Sequence, residues 1–565
     1  MRNYGTTDLR QGSGRLGALL VAAAALLVYL NALGGGFVFD DKPLLLDNPA
    51  SLRFDRLPLH FTGEEGFHKT MGRYYRPLVS VTYAVDRSLG ETLFGGIDPR
   101  TFHFTNVVIH VLASLAALRL LRLLLENRAA ALLAALLFAV HPIHTEAVAW
   151  ISGRTDSLAA LFYLTALSEF IRFSRGAGRG SLILLHVSFV AALWCKEMAV
   201  TLPAAAILLD QTACAPRVRT VRARLALIAS LAAVTLLFLL LRQAALSGKE
   251  VTATMEYFHG KSPVTVLATM LQTLPQCARL LVLPKGMLYH YNGTLPYLDS
   301  LLAGRAMLSA AFVLGTMAAA LLVRRRLPLV TCAILFFFAS LLPVLNIVPT
   351  VSLMAERFLY IPSLSLSLLL GILLREIRPP AIRRALFLAA VASLVCCAIL
   401  TVNRNRDWKS NESLYQSAEG SPGTLLSVNL GNLHFQRGEM EQAEALYLQA
   451  LELKEETSRA HLNLGMVRFF RGANDLIASQ QAAKEGDPDR EKVLAGQAEE
   501  RLDEARRHLE RARALEPASP DPVYELAHLA QVRGQKAECR RLLQELEKMA
   551  PGYPGASELR QLLPR

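Results

Sequence analysis

Two adjacent carboxylates, Asp40 and Asp41, close the stretch Phe37-Val38-Phe39-Asp40-Asp41. They follow an apolar run from Leu16 to Leu33 that Gly34-Gly35-Gly36 ends. That run is close to the roughly 20 residues a tilted helix needs to cross a bilayer, which places the pair at a membrane surface. Charge this near to lipid is costly unless it faces protein or water, so such a pair is a functional-site candidate. Alone it could equally be a solvated loop or a helix cap. The same pattern recurs further on. His141-Pro142-Ile143-His144-Thr145-Glu146, Arg154-Thr155-Asp156, Lys196-Glu197 and Glu356-Arg357 with Tyr360 all place ionisable groups at the ends of apolar runs. One at a time, these read as local ion pairs or a lysine reaching for the interface.

His141, His144 and Glu146 carry donor atoms that suit a metal. Their spacing fits no strong metal motif and Pro142 interrupts a regular helical face, so hydrogen-bonding support is favoured over a divalent ion. No G-x-x-x-x-G-K-[ST] loop and no Rossmann glycine pattern occurs, so no nucleotide site is expected.

The elements that must position these residues are mostly apolar. The chain has 565 residues, 52% of them hydrophobic, a net charge of +13 and seven cysteines. Residues 16–402 carry repeated apolar runs, whereas 403–565 are charged and rich in Ala, Leu and Glu. This is the composition of a polytopic membrane domain, 1–402, with a soluble tail, 403–565. The cysteines form neither a C-x-x-C motif nor a disulfide framework, and no nucleic-acid module accompanies the basic charge.

The candidate spans are 16–33, 103–125, 129–148, 156–173, 181–195, 198–213, 225–245, 303–323, 327–347, 357–374 and 385–402, or about eleven crossings. Arginine clusters follow alternate spans: Arg119/Arg122/Arg128, Arg172/Arg175/Arg179, Arg217–Arg224, Arg324–Arg326 and Arg375–Arg384. By the positive-inside rule these loops and the N-terminus are cytoplasmic. Residues 262–283 are apolar but interrupted by Pro263, Pro275, Gln272, Gln276 and Arg279. They are expected to be re-entrant or to lie along the outer surface, because a further crossing would invert the arginine pattern. With this threading the unusual polar residues collect at one face, opposite the cytoplasm, and the tail lies on that side too.

The tail repeats. Leu430-Gly431, Gly438, Ala443, Tyr447 and Ala450 return as Leu464-Gly465 at the tetratricopeptide (TPR) spacing, which is about 34 residues. The second helix of that unit is expected to be displaced by an insertion of 473–500 and to resume at Ala505, Leu509 and Ala512. A third unit runs through Leu526-Ala527, Gly534, Cys539 and Leu543. Trp408, Leu414 and Tyr415 are expected to form a half-unit on the first repeat. Such an array offers a surface to a peptide or protein.

Taken together, Phe37-Val38-Phe39-Asp40-Asp41 with Asn48, Tyr75-Arg76-Pro77-Leu78, His141-Pro142-x-His144-x-Glu146, Gly153-Arg154-x-Asp156, Lys196-Glu197 and Glu356-Arg357-Phe358-Leu359-Tyr360, followed by TPRs, resemble the transmembrane-and-TPR O-mannosyltransferases and their bacterial relatives. The resemblance implies an all-α GT-C glycosyltransferase fold. It also implies a sugar, mannose by family, carried on a polyprenyl or dolichyl phosphate, which is a donor substrate and not a bound cofactor. In that family the first member of the acidic pair is the base, which makes Asp40 the base and leaves Asp41 to orient a substrate. A carboxylate there can accept a proton from an attacking hydroxyl. Arg76, Arg154, Lys196 and Arg357 would stabilise the departing phosphate, with Asn48, Tyr75, His141, His144, Glu146, Asp156, Glu197, Glu356 and Tyr360 in support. One base opposite the leaving group implies inversion. The acceptor would be a protein Ser/Thr recruited by the TPRs, and the location a bacterial inner membrane or an endoplasmic reticulum. A transporter would instead place its polar residues near the midplane, and a membrane-anchored TPR scaffold would need one or two spans.

Overall fold

The computed structural model describes residues 5–47, 52–65, 74–213, 220–247, 257–258, 260–347, 350, 352–377, 379–421 and 423–561. The protein is all-helical, with no strand among the described residues. It forms two compact units, Met1–Tyr291 with Leu295–Ser417, and Asn292–Thr294 with Ala418–Arg565.

In the first unit the helices of ten residues or more, in chain order, are α1 (Gly5–Leu27), α2 (Pro77–Phe94), α3 (Pro99–Leu125), α4 (Arg128–Val140), α5 (Arg154–Ser174), α6 (Arg179–Cys195), α7 (Leu202–Thr212), α8 (Val221–Leu246), α9 (Pro263–Val282), α10 (Gly304–Val323), α11 (Pro328–Leu341), α12 (Ser363–Glu376) and α13 (Pro380–Asn405). Every apolar run of the sequence is helical, and α2 is an additional helix inside the stretch expected to be loop. It carries Asp86, Arg87 and Glu91 on an otherwise apolar pattern, which hides it from a search for uniform hydrophobicity.

Local chemistry sets the ends. Asp98 accepts a hydrogen bond from Arg100 N to start α3, and Pro99 takes the first helical position, where no N–H is needed. Glu126, at φ +53°, turns the chain, and Asn127 caps α4 through Ala130 N. His141 is extended because Pro142 follows it. The helix therefore breaks, and the next segment bends by 45°.

Five helical segments meet the length and hydropathy of a bilayer span, Arg15–Gly34, Pro99–Leu125, Val221–Leu246, Gly304–Val323 and Pro380–Lys409, with the bent pair at 128–149 as a sixth. The other expected crossings coincide with helices that are shorter or carry charge. Leu236 and Leu240 on α8, Leu308 and Leu322 on α10, and Leu388 and Ile399 on α13 are exposed. An apolar surface this extensive is not a water-facing one, and the chain is a membrane protein. Inside, Met270, Leu274, Leu280 and Leu281 of α9 pack with Phe337, Phe338 and Leu341 of α11.

The second unit is a set of antiparallel helix pairs: α14 (Thr424–Gln436) with α15 (Met440–Leu453), α16 (Ser458–Glu485) with α17 (Pro488–Leu515), and α18 (Asp521–Val532) with α19 (Lys536–Met549). Gly431 lies under the Tyr447 ring and Gly465 under Leu509, so each glycine marks a close helix crossing. The expected displacement in the second pair does not occur. The insertion lengthens both helices, which turn at Gly486 (φ +75°). Gly472 packs on Leu502 as Gly465 packs on Leu509, so the small-against-large pattern simply continues along the longer hairpin.

Candidate active site

The site is built where the broken helix 141–153 meets the loop after α1. Trp150 Nε1 donates to Val38 O (3.3 Å), and Ser152 N donates to Asp41 Oδ1 (2.9 Å), as does Ser152 Oγ. Asp41 Oδ2 accepts from Val38 N (2.9 Å). Asp41 is fully buried, and burial pushes its carboxyl up to about 7 against these donors. Its oxygens are spent on the protein itself, so it secures the loop; orienting a substrate, as the sequence suggested, would require atoms already in use.

Asp40 is only half-buried. It follows Phe39, which sits at φ +53°, a conformation rare for a bulky residue and a frequent companion of functional sites. The loop is held in that shape by Asn411 Oδ1, which accepts from Phe39 N (2.8 Å), and by Lys409 O, which accepts from Gly36 N (2.9 Å).

Three basic side chains converge beside this loop. Arg76 binds Glu197 (3.0 Å) and covers the Tyr74 ring at 4.2 Å. Lys196 Nζ lies 2.5 Å from both Asp156 oxygens. Arg357 pairs with buried Glu146, to which its own backbone N–H also donates (2.8 Å). Burial lowers the Lys196 ammonium to about 8; Asp156 opposes this, while Arg76 and Arg357 lower it further. Tyr74 marks the meeting point. Burial raises its phenol most, Arg76 and Arg357 pull it down, and Glu197 and Asp40 push it up. Each cation thus has a carboxylate behind it, which holds it in place.

Arg154 is elsewhere. It is fully buried, with Nε on Asn106 Oδ1 (2.6 Å), Nη1 on Thr82 Oγ1 (3.0 Å) and Asp86 (2.5 Å), and Nη2 on Phe102 O (2.8 Å). Every nitrogen is used in tying α2 and α3 to α5, so a phosphate-binding role is replaced by a structural one.

The supporting residues divide in the same way. His141 Nε2 donates to Leu281 O (2.9 Å) and its Nδ1 accepts from Ile143 N (3.2 Å), so both ring nitrogens are in use. His144 reaches Ser363 Oγ (2.8 Å) and lies against Tyr360, with ring centroids 4.2 Å apart. His110 Nε2 must donate to Ala139 O (2.9 Å), so its Nδ1 accepts from the Tyr360 hydroxyl (2.6 Å). Among the described residues no three His, Cys, Asp or Glu side chains are grouped as a metal would need. Tyr75 donates to Phe61 O (2.8 Å) and its ring lies against Phe238. Glu356 is buried, receives Tyr291 OH (2.9 Å) and Arg404 (3.4 Å), and burial pushes its carboxyl upward. Asn48 lies outside the described residues.

Sequence reasoning missed Tyr74, Ser152, Trp150, Arg404 and Asn411. Trp408, placed by the sequence on the first repeat, instead stacks on Trp150 (5.6 Å, 22°) within the first unit, which runs on to Ser417. The order of the chain held the only hint: a tryptophan and an arginine directly after a span need a partner at that surface.

The tetratricopeptide repeat family matches residues 497–563. The protein O-mannosyl-transferase TMTC3 of Mus musculus is 29% identical over 500 residues, 80% of this chain and 53% of that protein. F38B6.6 of Caenorhabditis elegans, also a protein O-mannosyl-transferase, is 28% identical over 452 residues, 77% of this chain and 62% of that one. Tmtc1 of Drosophila melanogaster is 37% identical over 191 residues, 32% of this chain and 21% of that one. The chain spans about half the length of the curated relatives it matches first. Among solved structures, ArnT from Cupriavidus metallidurans bound to undecaprenyl phosphate is 13% identical, covering 90% of this chain and 80% of that one, with a TM-score of 0.36.

Proposed function

We propose that this chain, whose curated relatives are protein O-mannosyl-transferases, is itself an inverting membrane glycosyltransferase of the GT-C type. It would move mannose from a polyprenyl-phosphate carrier to a hydroxyl of a protein that the TPR unit recruits. The observation that carries this reading is the meeting of a half-buried carboxylate, Asp40, with Arg76 and Arg357 at Tyr74, and of Arg357 with Lys196 over the Phe358 ring, at the ends of apolar helices. A lipid-linked sugar phosphate holds its reactive carbon at that level of a membrane. The acceptor oxygen attacks the anomeric carbon as the carbon–phosphate-oxygen bond breaks. Asp40 takes the hydroxyl proton, and the phosphate departs with its bonding electrons toward the three cations. Asp41 holds Asp40's loop.

The proposed topology has about eleven crossings and puts the site and tail on the periplasmic or luminal side, of a bacterial inner membrane or an endoplasmic reticulum. A reporter fused after Arg565 should be active only in that compartment. For the activity itself, purified protein is incubated with polyprenyl-phosphate-linked mannose and a Ser/Thr-rich protein acceptor. Release of polyprenyl phosphate that Asp40→Asn abolishes supports the reading. Folded protein that releases none overturns it.

A further inference from the structure

The segment 402–417 joins the two units in sequence, yet it is woven into the loop that carries Asp40. Asn31 Nδ2 donates to Val402 O (2.8 Å), and Asn405 Nδ2 donates to Val28 O (2.8 Å). Buried Arg404 pairs with buried Glu356, and Trp408, 1% exposed, stacks on Trp150, whose indole N–H holds Val38 O. Lys409 O receives Gly36 N, and Asn411 Oδ1 receives Phe39 N. The last bond is the informative one. Phe39 is at φ +53°, a conformation an L-residue leaves unless something holds it, and Asp40 is the next residue. The hydrogen bond that fixes Phe39's amide plane therefore fixes the direction in which Asp40 leaves the loop. Phe39 is further wedged between Trp150 (5.9 Å) and Tyr289 (5.6 Å), and Tyr289 in turn contacts Tyr415 (5.7 Å). Tyr415 senses the Asp40 charge: its phenol is raised to about 12, by burial first and then by Asp40.

We propose that Asn411 is a positioning residue for transfer, which holds Phe39 in its left-handed conformation and so aims the Asp40 carboxylate. The connector to the TPR unit is thus part of the catalytic loop. The inference rests on Asp40 being the base. Asn411 is exposed and caps no buried group, so its replacement leaves the fold standing.

The test uses the full-length protein with polyprenyl-phosphate mannose and a saturating peptide acceptor. Asn411→Ala removes the acceptor of the Phe39 N–H. It should lower kcat by about 10-fold to 100-fold, the cost expected for a misaimed group, with the donor KM within about twofold and the thermal transition unchanged. Asn411→Asp restores an oxygen to that N–H and should recover most of kcat. Its added negative charge beside Asp40 disfavours the ionised base, so the acidic limb of the kcat profile should move to higher pH. A purely structural residue would move neither that limb nor kcat alone. Full kcat in Asn411→Ala, or an Asn411→Asp variant as slow as Asn411→Ala with its limb unmoved, overturns the positioning role. Asp40→Asn separates the two ideas: full turnover there overturns base and positioning together. An inactive Asp40→Asn beside a fully active Asn411→Ala overturns only the positioning.

Discussion

Asp41→Asn replaces one oxygen by an amide nitrogen in a pocket where both oxygens of the carboxyl are engaged. Val38 N meets Oδ2, while Ser152 N and Ser152 Oγ meet Oδ1. The serine hydroxyl can turn and accept from the new amide, but the backbone N–H groups cannot. Whichever way the amide lies, one buried backbone N–H faces another donor, at a cost of about 1–3 kcal/mol. The pH dependence sharpens the test. Burial raises the Asp41 carboxyl from an ordinary 3.8 to about 7, so between those values the folded protein binds a proton that the unfolded chain has lost. Stability from this group is therefore complete below 3.8 and is lost as pH rises toward 7. From pH 5 to pH 8 the loss is about 3 kcal/mol at most, since each pH step of one costs about 1.4 kcal/mol until the group ionises. Asparagine has no such dependence. The variant should be less stable than the parent at pH 5, and the gap should close or reverse by pH 8. Thermal unfolding of both proteins in detergent at the two pH values measures this directly. A gap that widens with pH would mean that the three donors outweigh burial and keep Asp41 ionised, which would refute the reasoning. Asp40→Asn, on a half-buried residue, should leave the transition in place and lower turnover by about 100-fold or more.

Lys196, lowered to about 8 chiefly by burial, loses its charge as pH rises past that value; donor KM should climb above pH 8 in the parent and stay level in Lys196→Arg, as steady-state assays from pH 6.5 to 9.5 would record. Arg154→Ala strands the buried Asp86 carboxylate, and should cost about 3–5 kcal/mol of stability; Arg154→Ala/Asp86→Asn should recover part of it, with donor KM in the folded double variant near the parent value. Deletion of 424–565 should weaken transfer to a large protein acceptor under limiting acceptor while sparing slow donor hydrolysis, because a remote surface raises local acceptor concentration without touching the reacting groups; size exclusion checks the fold, and undiminished transfer would remove the recruiting role.

By itself the sequence determined the apolar runs and so the helices, because a run near bilayer length has one regular structure open to it. It determined the tail as well, since small and large residues at a repeating interval can only be helix pairs: Gly431 beneath Tyr447 and Gly465 beneath Leu509 are that interval made physical. It also brought the ionisable residues to the ends of those helices. What it left open was which of them face a substrate. Asp40 and Asp41 are identical side chains one residue apart, and only packing distinguishes them. Asp41 meets Ser152, 111 positions away, whereas Asp40 stays half-buried behind the left-handed Phe39. Arg154 and Arg357 look alike at helix starts, but α2, a helix too charged to stand out in the sequence, brings Asp86 and Thr82 over Arg154 and consumes it. The insertion in the repeats and the segment 402–417 were likewise settled by contact. Lengthened helices keep burying Ala498 and Leu502 where a displaced helix would expose them, and Trp408 finds on Trp150 an aromatic face that no local pattern could announce. Hydrophobic periodicity is local and survives in one dimension; the pairing of charges and the strain of a single backbone angle depend on residues hundreds of positions apart, and exist only once the chain has folded.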